Sequence, residues 1–365
     1  MCSSDLGKKN SQRGVVNSGY IRCYLCNRHI WKVFNGVCTC ENGLEVFTMP
    51  KISVIIPVFG VEKYIECCAI SLFEQTLDDI EFIFIDDCTL DRSIEILKDV
   101  IEKYRLRIEE QSYSVKIVKM PVNSGLPAVR RYGIQLATGI YVAHCDSDDW
   151  VDVGLYRQLY EKIVADNADI AICDYVETNR KEVLGIRKGL LSYDKEKCIK
   201  DMMYMRTSWS MWNKLIKRNL YDNIDEYPKY YMGEDMAVTL PLMLASSKIT
   251  YCPNIYYHYF INPISPSRKQ SKKDIIHRYK SALFNLDIVK RAYSDKANAS
   301  YSKAINYIYF FQKMKLLPYR KDNEIRALIT QELYNIIPTI LFDRELNLKH
   351  KIKGCLMVLI KVFNY

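Results

Sequence analysis

The chain has 365 residues, 49% hydrophobic and 26% charged, which is globular composition with room for a large core. No apolar run reaches the ~20 residues that a membrane-spanning helix needs. The net charge of +9 is uneven: +3 over residues 1–48, −6 over 49–265 and +12 over 266–365. A basic flank favours an anionic surface, either nucleic acid or a membrane leaflet; a solvated helical face is the plainer reading. No secretory leader is visible, so the expectation is a cytoplasmic protein, peripheral at most on the inner membrane face. Several of the thirteen cysteines, among them Cys67, Cys68, Cys145 and Cys173, sit in apolar runs and read as buried, reduced thiols.

The opening MCSSDLGKKNSQRG is polar and patternless, and residues 1–48 read as a disordered or non-native flank. Their opening MCSSDL resembles a translated sequencing adaptor, which points to Met49 as the natural start. The competing reading is a zinc knuckle built from Cys23, Cys26, His29, Cys38 and Cys40, although C-x-C is poor ligand spacing.

From Lys51 strands and helices alternate. KISVIIPVF is a continuous apolar run, as a strand covered on both faces should be. VEKYIECCAISLFEQ has helical spacing. IEFIFIDD is a strand, DRSIEILKDVIEKY a helix and SVKIVKM a third strand. PAVRRYGIQLATG is helical, with Gly139 as its expected C-cap. IYVAHCD is the fourth strand, GLYRQLYEKIVADN a helix and DIAICDYVET the fifth strand. This alternation predicts a doubly wound, mainly parallel α/β sheet with right-handed crossovers. Beyond residue 266 the pattern is helical and basic, after a linker over NPISPSRKQSKK.

Two strands end in acid. IEFIFIDD delivers Asp86 and Asp87; IYVAHCD leads to Asp146, Asp148 and Asp149. Parallel strand ends lie on one side of a sheet, where ligands of such folds bind. Crowded carboxylates repel unless a cation sits among them, and hard oxygen ligands suit Mg²⁺ or Mn²⁺ bridging to substrate phosphates. A solvated acidic turn, or Asp149 capping the next helix, is the plainer alternative.

The ordered motifs PVFG, DDCTLD, NSGLPAVRRYG, CDSDDW, WNKLIKRNL and GEDMAVTLPL, over roughly residues 51–265, resemble those of family 2 glycosyltransferases of the bacterial surface-polysaccharide type. The resemblance implies a GT-A fold over 49–265 followed by a helical extension. It implies an inverting, metal-dependent transferase that moves a sugar from a nucleotide-sugar, UDP-linked by expectation, to a saccharide or lipid-linked acceptor. Carried over position by position, Pro57 and Phe59 line the base pocket, Asp86 and Asp87 bind the nucleoside with Asp87 on the uracil, and Arg130 faces the nucleotide. Asp148 is the direct metal ligand, Asp146 lies nearer the ribose or sugar, and Asp235 is the catalytic base beside Glu234. Phe59, Gly60, Cys88, Leu90 and Arg131 depart from the family pattern, which touches base and sugar choice.

A helix-opening acid is the plainer reading of Asp235, and the helix N-terminus is expected to keep it ionised. Trp209, Trp212 and Lys214 are weaker candidates for the acceptor side, with core packing or solvation as alternatives. Ser265, Ser267 and Arg268 are candidates to close over a diphosphate, and His144 reads as a core histidine. The C-terminal KHKIKGCLMVLIKVFNY is too short to span a membrane but suits an interfacial helix on an anionic leaflet. Rival readings are a sugar nucleotidyltransferase, whose glycine- and arginine-rich first loop is missing here, and a nucleic-acid-binding protein using the basic tail. No nucleic-acid partner is expected.

Overall fold

The computed structural model describes the backbone of residues 21–22, 29–34, 37–40, 47–263 and 271–363. The chain divides into two units, residues 1–49 and 50–365. In the first, four short strands, β1 (Ile21–Arg22), β2 (His29–Phe34), β3 (Val37–Cys40) and β4 (Phe47–Thr48), pair antiparallel in sequential order. Cys23 and Cys26 lie outside the described residues, as do Ser265, Ser267 and Arg268.

The second unit is built on a nine-stranded sheet. Its strands are β5 (Ile52–Val58), β6 (Ile80–Asp86), β7 (Ser114–Lys119), β8 (Tyr141–His144), β9 (Trp150–Val151), β10 (Ile170–Thr178), β11 (Val183–Arg187), β12 (Lys214–Lys217) and β13 (Ile249–Phe260). The spatial order is β7-β6-β5-β8-β12-β10-β13-β9, with β11 paired to β10. The first four strands are parallel. Then β12 runs antiparallel to both β8 and β10, β10 and β13 are parallel, and β9 is antiparallel to β13. The doubly wound expectation therefore holds for the first four strands and gives way to a mixed sheet beyond them. The fifth predicted strand, β10, is reached only across β12.

Both faces of the sheet are covered, which explains the unbroken apolar run of β5. Ile52, Val54, Ile56 and Val58 enter one core with α1 (Ile65–Phe73), α2 (Ser93–Lys103) and α5 (Leu155–Ala165). Ile55 enters the other, with α4 (Leu126–Leu136), α6 (Lys195–Met203) and α7 (Glu234–Ala245). A short helix, α3 (Arg105–Glu110), follows α2. The second core continues without a break into the C-terminal helices α8 (Lys272–Ala292), α9 (Ser302–Met314), α10 (Asn323–Thr330), α11 (Leu333–Phe342) and α12 (Leu348–Phe363). The helical extension is thus packed on the sheet unit.

Gly139 does not cap α4, which ends at Leu136 with Ala137 extended. It is needed for close approach: a Cβ there would lie 2.6 Å from the Ser53 backbone nitrogen in β5. Cys67 is exposed, whereas Cys68, Cys145 and Cys173 are buried as expected.

Candidate active site

The ends of β5, β6 and β8 place three loops together. After β6, Asp87 is buried and its carboxylate accepts from the Ser124 N–H at 2.7 Å and the Gly125 N–H at 2.9 Å, at the start of α4. The Asn123 amide donates to the Asp87 carbonyl at 3.0 Å. Asp86 is buried and accepts from the Thr89 N–H at 2.8 Å, closing the loop on itself. Asp91 anchors the same loop, accepting from Thr89 Oγ1, from Ser93 and from the Glu62 N–H. Cys88 sits at φ +60°, a left-handed conformation that favours glycine, and its thiol donates to the Met120 carbonyl at 3.1 Å. After β5, Ser147 Oγ donates to the Pro57 carbonyl at 2.6 Å, tying this loop to the acidic turn. Phe59 is 54% exposed, a ring open to a ligand beside Gly60 at φ +67°.

The acidic turn after β8 assigns its carboxylates different jobs. Asp149 is fully enclosed: its oxygens accept from Tyr257 Oη and the Phe260 N–H, both at 2.7 Å. It joins the turn to β13 and does not cap α5. Asp146 and Asp148 are half-buried. Asp148 Oδ2 accepts from the Asn262 amide at 3.2 Å. Burial, then the neighbouring Asp146 charge, raises the Asp148 pKa from its ordinary value, a cost that a cation would relieve.

Arg130, expected to face the nucleotide, is buried and gathers carboxylates. Its Nη2 donates to Asp146 Oδ1 at 2.5 Å; its Nη1 donates to Asp235 Oδ1 at 2.7 Å and to Glu234 Oε1. Burial opposes the guanidinium charge, but the three acids more than offset it and hold its pKa well above the usual value. Its Nε has no hydrogen-bond partner among the described residues.

Glu234 and Asp235 open α7, as the GED motif predicts, with Gly233 at φ +81° turning the chain into the helix. Burial pushes Glu234 up to about 8 against the pull of Arg130. Burial also raises Asp235, with Arg130 opposing, so the helix N-terminus does not leave it an ordinary acid. The Asp235 side chain is 28% exposed against 3% for Glu234, so of the pair Asp235 is the one open to solvent.

The three acceptor candidates are turned inward. Trp212 is buried, stacked on Tyr257 at 4.4 Å and Tyr259 at 5.4 Å, and Trp209 packs on the helical core. The Lys214 ammonium donates to the carbonyls of Ser208 and Ser210 and to Asn213 Oδ1 at 2.6–3.1 Å. All three of its protons are used within the protein, and burial lowers its pKa to about 8. His144 is a core residue hydrogen-bonded to Tyr221 Oη.

Arg180, Tyr64, Phe260 and Asn262 border the acidic turn and were not legible as site residues: Tyr64 falls in a segment read only as helix, Phe260 in a strand that periodicity missed, and Arg180 and Asn262 in connections. Among the described residues no group of three or more His, Cys, Asp or Glu converges on a metal position. The donor set instead fits a divalent ion held by one or two carboxylates with substrate phosphate completing its shell.

A mixed sheet with strand-end aspartates after β6, a D-x-D turn after β8 and an acid pair opening α7 has the architecture of the GT-A glycosyltransferase class. Residues 53–233 match the family described as glycosyl transferase family 2, and this segment belongs to that family. The chain is 32% identical over 235 residues to glycosyltransferase GlyA of Streptococcus pneumoniae, covering 61% of this chain and 32% of that one. It is 29% identical over 228 residues to the uncharacterized glycosyltransferase EpsJ of Bacillus subtilis, covering 60% of this chain and 63% of that one. The match thus spans about a third of GlyA and under two thirds of EpsJ. In structure it is similar to residues 1–349 of S. aureus TarS in complex with UDP, with a TM-score of 0.52, 18% identity and coverage of 86% of this chain and 92% of that one. That likeness establishes the fold.

Proposed function

We propose that residues 50–365 form an inverting glycosyltransferase that moves a sugar from a UDP-sugar to a hydroxyl of a saccharide or lipid-linked saccharide, in the assembly of a surface polysaccharide. The observation that carries this is the Arg130 hub, which joins Asp146 of the D-x-D turn to the Glu234–Asp235 pair. Donor-side and acceptor-side acids are thereby held within one hydrogen-bonded group. The family, the named relatives and a structural relative that binds UDP support the same reading.

Asp148 and Asp146 would hold Mn²⁺ or Mg²⁺, which, when bound, supplies Lewis acidity to the departing diphosphate. Asp87 and the exposed Phe59 ring receive the base. Asp235 takes the proton of the acceptor hydroxyl as it attacks the anomeric carbon from the face opposite the leaving group, which inverts the configuration. Arg130 stabilises the Asp235 carboxylate against burial, and Glu234, protonated at neutral pH, leaves that charge undivided.

We infer further that α12 rests on an anionic lipid surface. Gly354 and Met357 are buried, while Leu348, Ile352, Leu356 and Leu359 form an exposed stripe among Lys349, Lys351 and Lys353. No helix among the described residues is long and apolar enough to cross a membrane.

UDP titrations with Mn²⁺ and with chelator test the donor site. Asp148→Ala should abolish the Mn²⁺-dependent part, and Asp235→Asn should leave it nearly intact while transfer falls by roughly 10²–10⁴. Identical titration curves for wild type and Asp148→Ala would sink the donor site. Near-normal transfer by Asp235→Asn would remove Asp235 from the role of base.

A further inference from the structure

Arg180 stands in the turn between β10 and β11, at φ +72°. Few side chains adopt that conformation without a reason. The turn is closed by local bonds. Arg180 N–H donates to Thr178 Oγ1 at 3.0 Å, Thr178 Oγ1 donates to the Glu182 carbonyl at 2.9 Å, and Asn179 Oδ1 accepts from the N–H groups of Lys181 and Glu182. This geometry sends the Arg180 side chain across to the acidic turn.

There the guanidinium is enclosed by three rings from three different elements. It lies 4.7 Å from the Tyr64 ring at the start of α1, 5.0 Å from Trp150 in β9 and 4.8 Å from Phe260 at the end of β13. Tyr64 and Phe260 also touch each other, at 5.2 Å. From inside this cage Nη2 donates to the Asp148 backbone carbonyl at 2.6 Å. Asn262, two residues beyond Phe260, reaches the Asp148 carboxylate. Asp148 is therefore gripped twice, by its backbone from the β10–β11 turn and by its side chain from beyond β13. A guanidinium is planar, so it can face aromatic rings and still donate in its own plane; an ammonium has no such plane.

We propose that Arg180 is a positioning residue for the D-x-D turn: seated among Tyr64, Trp150 and Phe260, it holds the Asp148 carbonyl so that the Asp148 carboxylate is presented toward a divalent cation and the diphosphate that the cation carries. This rests on the reading of Asp146 and Asp148 as the metal-diphosphate site. In this role Arg180 acts through Asp148, whose carbonyl it holds. The β10–β11 hairpin thereby becomes part of the donor site, although no residue of it bears a carboxylate in the D-x-D.

Calorimetric titration of UDP with Mn²⁺, of UDP with chelator and of uridine alone tests the assignment, on wild type, Arg180→Met, Arg180→Lys and Asp148→Ala, with the melting temperature of each recorded. Outer partners of metal ligands typically change affinity about 10–100-fold, so Arg180→Met should lose at least about tenfold in Mn²⁺-dependent UDP affinity. Uridine affinity should stay unchanged. Arg180→Lys, which keeps charge and length, should fall between Arg180→Met and wild type, and decides the matter if Arg180→Met does not fold. Wild-type Mn²⁺-dependent affinity in both Arg180 variants, with loss in Asp148→Ala, would overturn the positioning role and leave the metal site standing. Equal loss of uridine and UDP affinity would overturn it too, because that is general unfolding. Unaltered Mn²⁺-dependent binding in Asp148→Ala would take down the metal site itself, and the positioning role with it.

Discussion

Glu234 and Asp235 are neighbours in sequence, share one guanidinium and both have their pKa raised by burial. The Glu234 pKa is pushed up to about 8, far above its value in an unfolded chain, so the folded protein holds a proton that the unfolded chain releases. Such a group contributes stability that is complete below about pH 4.5 and is lost as pH rises through about 8. Unfolding of the metal-free protein in denaturant, at several pH values between those limits, should show wild type losing stability relative to Glu234→Gln as pH rises. The amide mimics the protonated acid and has nothing to lose. A pH-independent difference between the two would place the proton elsewhere. The strand-end acids Asp86, Asp87, Asp146 and Asp148 were legible in the sequence because an apolar strand aims them. The direction of the Arg130 side chain was not: α4 fixes only its face, and its partners arrive from residues 16, 104 and 105 positions away. Lys214 misled for the opposite reason, since a lone lysine reads as solvated until the carbonyls that enclose it are known.

At the scale of elements, the strands with clean apolar runs were readable and the later ones were not. β13 is interrupted by Pro253 and by Asn254 at φ +62°, and its register with β10 jumps from Cys173↔Cys252 to Asp174↔Tyr256. A proline within a run argues against a strand, so the bulge hid it. β9 has only two residues, too few for any period. β12 has four, and its antiparallel direction follows from tertiary pairing. Gly139 shows the same limit: proximity to the end of α4 suggested a cap, but the demand comes from β5. Gly139→Ala should therefore destabilise the protein by roughly 1–3 kcal/mol, because its Cβ meets backbone that cannot turn aside. A helix-cap role, with its positive φ, would instead be strained by any side chain whatever the space. Thermal melts of Gly139→Ala and of Gly139→Ala with Ser53→Ala separate steric contact with Ser53 from the rest, and an unchanged melting temperature in the single variant would refute the contact.

For the whole molecule, the charge asymmetry seen in the sequence has a structural counterpart. Among the described residues, the basic C-terminal region from residue 272 to 363 is built of helices that share a core with the sheet, and α12 carries an exposed apolar stripe. Wild type should sediment with vesicles rich in phosphatidylserine and be partly released by salt, whereas Ile352→Ser with Leu356→Ser should stay in the supernatant without loss of fold. Equal sedimentation of the double variant would end the lipid reading. Self-association of wild type without lipid, abolished by the same substitutions, would assign the stripe to a second copy instead.

The path of the chain from β8 to β9 has a mechanical side. Those two strands are joined by five residues, Cys145–Asp149, yet β12, β10 and β13 lie between them in the sheet. Four interstrand gaps in a flat sheet amount to about 19 Å. Six residue steps reach that far only when almost fully stretched, about 20 Å. The connection is not stretched: Asp149 N–H returns to the Asp146 carbonyl at 3.0 Å, which makes it a turn. The sheet must therefore curl until its far edge comes round to β8, and the D-x-D turn is the buckle on that belt. The spacing of the acids and the curvature of the sheet are set by the same few residues. Lengthening the turn by one residue would relax the curl as well as shift the Asp146 and Asp148 carboxylates.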